Sequence, residues 1–204
     1  MKKTKEKILS TAHRLFNEQG VANVSLRKIA EEMGISHSNL IYHFKSKNEI
    51  IEQLHLQILA AAQAGNQQFR EQKSSLLKLR NTIGSGFQVL YEYRFFMLDL
   101  NYILRENEQL HAFFLEVEAL RAKIYQDAIE EFISNGLMRA AIYPKEYEQL
   151  IERIRIFSDF WIASSEIYNT EQPTVIIEKH VQLFMSLFFP YLTEEGRAQY
   201  LALR

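Results

Sequence analysis

Three apolar stripes at helical spacing crowd into the opening stretch of the chain, each punctuated by a glycine or a hydroxyl residue, and this punctuation constrains the fold most. Ile8, Leu9, Ala12, Leu15 and Phe16 recur at intervals of three and four, which predicts a helix over 4–19 that Gly20 ends. Ser25 stands before Leu26, Ile29, Ala30 and Met33 as the N-cap of a second, very short helix stopped by Gly34. Lys28 sits where a capping box would place Glu, so only half of that motif is present. Ser36 opens a third helix, roughly 37–44, whose Leu40 and Phe44 share a face. Two short helices joined by Gly34-Ile35-Ser36 match the helix-turn-helix plan, in which glycine takes the tight turn and the second helix offers its first residues to a DNA groove.

The outer face of that third helix is polar. His37, Ser38, Asn39, Tyr42 and His43 can all donate or accept hydrogen bonds. Asparagine suits a bidentate pair with adenine N6 and N7, and Arg27 suits guanine O6 and N7 or a phosphate. Lys47 stands beside the start of a fourth helix, where a cation and free backbone N–H groups together would hold a phosphate. Charge points the same way: residues 1–50 carry nine Lys/Arg against five Glu, a net +4, while the remainder carries −5. A basic quarter on an acidic body suggests one surface for a polyanion and another for something else. A small helical corner with a polar exterior is the competing structural reading of the same residues.

From position 48 a longer helix turns Ile50, Ile51, Leu54, Ile58 and Ala61 or Ala62 inward and fades into a polar connection over 65–75. Six further helices are expected over 76–91, 94–105, 109–135, 144–168, 173–192 and 194–203. Asn135-Gly136 closes the longest, and Pro144 and Pro173 are placed as first-turn prolines. With 7 Gly and 3 Pro there are too few turn-formers for a many-stranded sandwich or barrel, so the fold class is all-α. Apolar residues at 47% and charged residues at 24% exclude disorder. The absence of cysteine excludes disulfides, thiolate zinc sites and a cysteine nucleophile, and suits a reducing, cytoplasmic compartment. Residues 1–16 contain no signal-peptide apolar core, and the longest apolar-rich run, 183–192, falls short of the ~20 residues that span a bilayer. A soluble chain without a membrane partner is expected.

The run Phe16 to Gly20, then Val24-Ser25-Leu26-Arg27-Lys28-Ile29-Ala30, then Gly34 through Lys47 with its Tyr42-His43-Phe44-Lys45-Ser46-Lys47, resembles the N-terminal domain of TetR-family transcriptional regulators. The resemblance is specific over about 4–52; beyond it only the number and lengths of helices agree. It implies a helix-turn-helix domain over 1–47 and a larger helical ligand-binding and dimerisation domain over 48–204. It implies that Ser25, His43 and Lys47 contact phosphates and that Arg27, His37, Ser38, Asn39 and Tyr42 lie nearer the bases. Ile41 stands where the family often has tyrosine, so a phosphate-directed hydroxyl is missing and a thymine methyl becomes its natural contact. The implied partners are a palindromic double-stranded operator, a second copy of the chain and a small-molecule effector that releases a repressor.

A symmetric operator calls for a symmetric dimer. The resemblance puts its interface on the last long helices, where Ile154, Trp161, Ile177, Val181, Phe184 and Phe188 form continuous stripes; the same stripes also read as internal core. For the effector, Phe87, Tyr91, Tyr102, Arg105, His111 and Phe114 are the candidates within the aromatic-rich 76–135, and Gly84 and Gly86 suggest close packing or a cavity wall. An aromatic stripe at this spacing is equally a core. Glu52-x-x-His55 and Glu108-x-x-His111 have the spacing that di-iron bundles use, yet glutamate is so frequent that such pairs arise by chance. No metal, no cofactor and no enzymatic activity are expected.

Overall fold

Polar side chains decide where most of the helices begin. In the computed structural model, which describes residues 2–69 and 75–203, Ser25 accepts the Lys28 N–H at 3.2 Å ahead of α2 (Leu26–Glu32), and Ser36 accepts the Asn39 N–H at 3.2 Å ahead of α3 (His37–His43). Both follow α1 (Lys2–Gln19). α4 (Lys47–Gln67) carries a capping box displaced by one residue: Ser46 accepts the Glu49 N–H at 3.2 Å, and the Glu49 carboxylate accepts the Lys45 N–H at 2.8 Å. Gly34 closes α2 at φ +66°, with the Ile35 N–H reaching back to the Ala30 carbonyl at 3.0 Å. An added Cβ there meets nothing within 4 Å, so glycine serves the left-handed backbone and not a close approach.

The remaining helices are α5 (Leu76–Glu92), α6 (Arg94–Leu98), α7 (Leu100–Glu106), α8 (Glu108–Ser134), α9 (Glu146–Tyr168), α10 (Pro173–Ser186) and α11 (Glu194–Leu201), with a 3-10 turn at Phe189–Tyr191. Among the described residues there is no strand, only an isolated bridge between Met138 and Leu192, and no helix is long and apolar enough to cross a membrane. The all-α reading therefore stands, with four local differences. The helix expected over 94–105 is two helices, because Asp99 (φ −102°, ψ 16°) leaves α geometry while its carboxylate accepts the Val21 N–H at 2.6 Å. Pro144 lies before α9 and not in its first turn, since Lys145 adopts a left-handed conformation (φ 66°) at the N-cap. α10 does begin with Pro173 but stops at Ser186, and Pro190 falls in the 3-10 turn. The polar connection expected over 65–75 is helical as far as Gln67, and its residues 70–74 lie outside the described residues.

The chain forms two compact units, 1–61 with 92–113, and 62–91 with 114–204. Their boundaries fall inside α4, at the end of α5 and inside α8, and so differ from the chain-order division at 47/48. In the first unit Ile8, Leu15, Phe16, Ile29, Leu40, Ile50, Leu54, Phe95 and Phe96 are fully buried. In the second, Phe87 stacks on Trp161 at 4.7 Å and meets Phe184 edge-on at 5.6 Å, a packed aromatic core. Within it Gly65 of α4 faces Ser85 of α5, where an added Cβ would lie 2.0 Å from the Ser85 Oγ. Close approach, one of the two reasons expected for Gly84 and Gly86, is found instead at Gly65 and at Gly196, where an added Cβ would lie 2.1 Å from the Leu137 carbonyl oxygen; nothing lies within 4 Å of a Cβ at Gly84 or Gly86.

Candidate nucleic-acid interface

α3 is only seven residues long and is held by two anchors. Leu40 is fully buried and Phe44, its C-cap, nearly so, and the Phe44 N–H closes the last turn on the Leu40 carbonyl at 3.0 Å. With that face fixed, the opposite face must point outward. His37, Ser38 and Asn39 are exposed, and Tyr42 is 71% exposed, its ring and hydroxyl open to a partner. Ile41 is exposed beside it. His43 is half-buried, its ring edge-on to Tyr42 at 5.2 Å. Ser25 and Arg27 are exposed on and just before α2. Arg27 pairs with Glu31 at 2.9 Å, a solvated i,i+4 contact worth about 0–1 kcal/mol that a nucleic-acid acceptor can replace.

α1 and α2 supply the platform beneath this surface. Arg14 of α1 bridges Glu18 at 3.0 Å and Glu32 of α2, and Lys28 of α2 reaches the Gln19 amide oxygen. Lys5 stands over the Phe44 ring at 5.6 Å. Lys47 is the expected contact whose charged group is held by the protein's own backbone. It is half-buried, its ammonium donates to the Val21 carbonyl at 2.7 Å, and it lies 5.6 Å from the centre of the Tyr102 ring.

Sequence reasoning missed the side chains that brace this platform from 92–113. Asn17 donates to the Glu92 carbonyl at 2.8 Å and accepts the Phe95 N–H at 3.0 Å, so one amide clamps the start of α6. His13 stacks on Tyr93 at 4.3 Å. Asn107, almost fully buried, donates to Glu52 at 2.7 Å and caps α8 through the Leu110 N–H at 3.0 Å. The one signal for these braces was Asp99, a rare residue type set inside an apolar helical pattern.

The residues expected to bind an effector do not gather. Tyr102, Arg105 and His111 belong to the first unit and are exposed; Phe87, Tyr91 and Phe114 belong to the second. Phe87 is buried among rings, as a core residue is. A cavity of about 230 Å³ does lie between α8 and α9, lined by Glu118, Tyr125, Ile151, Arg155 and Ser158 among others. The dimer stripes need a correction of face. Ile154, Trp161, Ile177, Val181, Phe184 and Phe188 are at most 7% exposed within the single chain, so they are already covered by their own unit. The apolar residues left in water are Ile156, Phe160 and Ile167 on the other side of α9, and Val175 and Leu183 on the other side of α10. Of the two Glu-x-x-His pairs, Glu52 is engaged with Asn107, His55 stacks on Phe96 at 4.8 Å, and Glu108 and His111 are exposed.

Comparison with known proteins bears on the family and the fold. Residues 8–54 match the family described as "Bacterial regulatory proteins, tetR family", and residues 62–200 match "Bacterial transcriptional repressor". The uncharacterized HTH-type transcriptional regulator YerO of Bacillus subtilis is 27% identical over 144 residues, 68% of this chain and 50% of that one, so this chain spans half the length of that relative. Among solved structures, a TetR-family transcriptional regulator from Marinobacter aquaeolei superposes with a TM-score of 0.87 at 24% identity, over 98% of this chain and 96% of the other. A transcriptional regulator from Saccharomonospora viridis in complex with choline superposes with a TM-score of 0.74 at 16% identity, over 95% of this chain and all of the other. At these identities the structural likeness speaks for the fold.

Proposed function

Since the chain belongs to the TetR family of bacterial transcriptional regulators, we propose that it is a homodimeric repressor that reads a palindromic operator with α3 and leaves it when a small molecule binds. The observation that carries this reading is the outward polar face of α3, with Tyr42 71% exposed over the buried anchors Leu40 and Phe44. Asn39 and Arg27 read base edges, assisted by His37, Ser38 and Tyr42; Ser25, His43 and Lys47 hold phosphates. Two such faces must lie about one turn of DNA apart, or a multiple of it, which one chain cannot supply.

The second copy docks on the exposed stripes of α9 and α10, around Ile156, Phe160, Val175 and Leu183, which are apolar and uncovered. In this reading 1–47 is the reading domain and 48–204 the ligand-binding and dimerisation domain, with 92–113 lent to the reading unit. The effector enters the second unit, and the α8–α9 cavity of about 230 Å³ is its candidate site; a structural neighbour is a regulator in complex with choline. The effector acts only by binding one spacing of the two reading heads better than the other. A coupling of ~1–3 kcal/mol changes operator affinity about 5- to 150-fold.

A gel-shift titration with the DNA flanking the chain's own gene, at two salt concentrations, tests the reading. Expected is a discrete complex that competitor DNA of random sequence does not displace and that weakens as salt rises. Binding indistinguishable from that to random DNA would remove the repressor reading.

A further inference from the structure

Tyr102 was a candidate for the effector site, but its ring lies against the lysine assigned to DNA. The Lys47 ammonium is 5.6 Å from the ring centre, within the range where a cation is drawn to an aromatic face, and it donates to the Val21 carbonyl at 2.7 Å. An ammonium has three donors, so these two contacts fix its direction and leave hydrogen for a phosphate oxygen. The Val21 peptide is itself fixed, because its N–H is held by Asp99 at 2.6 Å, at the junction of α6 and α7. The end of α7 and the residue after it then hold the first turns of α4: Asn48 donates to the Glu106 carbonyl at 3.0 Å, and Asn107 donates to Glu52 at 2.7 Å. An exposed lysine samples many rotamers, whereas this one is half-buried, with a fixed carbonyl on one side and the Tyr102 ring on another.

We propose that Tyr102 is a positioning residue for DNA binding: its ring, with the Val21 carbonyl, holds the Lys47 ammonium in the direction of a backbone phosphate. The proposal rests on the reading that Lys47 contacts phosphate. It makes affinity for DNA of any sequence depend on where α7 stands, while base discrimination, which belongs to α3 and to Arg27 of α2, does not.

The test is a salt titration, from 50 to 200 mM, of binding to a random-sequence duplex by the full chain and by Lys47→Ala, Tyr102→Leu, Tyr102→Phe and the Lys47→Ala/Tyr102→Leu double variant. One phosphate contact contributes about 0.9 to the slope of log affinity against log salt per symmetric half, or roughly threefold over this salt range. Lys47→Ala is expected to flatten the slope by that amount. Tyr102→Leu should flatten it in the same sense, Tyr102→Phe should restore it, and the double variant should match Lys47→Ala. A wild-type slope for Tyr102→Leu, or a further loss on adding it to Lys47→Ala, overturns the proposal while leaving Lys47 as a phosphate contact. A wild-type slope for Lys47→Ala overturns the assignment of Lys47 and the proposal with it. Tyr102 is 37% exposed, so leucine is tolerated there; Tyr102→Gln repeats the test with a polar side chain, and circular dichroism checks that each variant is folded.

Discussion

The two compact units use the same helical material and expose opposite surfaces. In the first, short capped helices bury one apolar anchor per turn and present His37, Ser38, Asn39 and Tyr42 to water. In the second, long helices bury a full aromatic stripe on one side and leave Ile156, Phe160, Ile167, Val175 and Leu183 on the other. An outward face that can satisfy hydrogen bonds suits a wet, charged duplex, and one that cannot suits another apolar face. The contrast teaches that in this chain function follows the side of the helix that the core leaves over.

That contrast breaks most sharply in the second unit. Phe184→Ala empties a fully buried site and is expected to cost ~3–5 kcal/mol in a denaturant titration, whereas Phe160→Asp, on a half-exposed face, should leave the fold intact and yield monomer in equilibrium ultracentrifugation. If Phe184→Ala instead dissociated a dimer at unchanged stability, the two faces of α9 and α10 would have been assigned the wrong way round. On the first unit the expected effect is smaller and purely functional. Asn39→Ala should lower discrimination between selected and random duplexes by ~1–3 kcal/mol, measured as the ratio of the two affinities, with no change in melting temperature. Equal losses for both duplexes would make Asn39 a phosphate contact.

The smallest effects are those of pH, and they sharpen the picture of the second unit's interior. The Arg139 guanidinium, with the Ile142 N–H, holds the buried Glu146 carboxyl at about 2. Its stabilisation is complete above the usual carboxylate pKa and is lost as pH falls toward 2, so Glu146→Gln should melt earlier than wild type at neutral pH by a margin that closes through that window. Asp159 has the opposite sign. Burial, with Glu118 nearby, pushes its carboxyl up to about 6, so the ionised form is a cost above pH 6 that disappears as pH falls to the usual range. Asp159→Asn should therefore raise the melting temperature at pH 7.5 and make no difference at pH 4; an equal gain at both pH values would show that charge is not the cause.

How much of this could be read from the sequence follows the same division. The reading head was legible because its determinants are local: Ser25 and Ser36 cap within three residues, Gly34 supplies a φ that other residues resist, and Leu40 with Phe44 fixes which face turns out. Asp99 stood out in the sequence, but its partner did not, and Asn17 and Asn107 gave no signal, because each of the three serves a backbone group or carboxylate many positions away and no periodicity records such a partner. α9 and α10 misled for another reason. Both sides of these helices carry large apolar residues, so the sequence shows two stripes, and only packing reveals that Ile154 and Trp161 are covered by their own chain while Ile156 and Phe160 are not. Tyr102 was noticed as an aromatic in a helix; its relation to Lys47, in another helix, exists only in three dimensions.

The proposed repressor stands or falls on α3 reading sequence in a duplex, twice, by symmetry. Selection of bound fragments from a random duplex library, followed by sequencing, measures this without knowing the operator or the effector. Expected is enrichment of an inverted repeat whose half-sites lie about one helical turn apart, or a multiple of it, and loss of that enrichment in Asn39→Ala. A library that emerges unenriched from a folded, dimeric protein would contradict it.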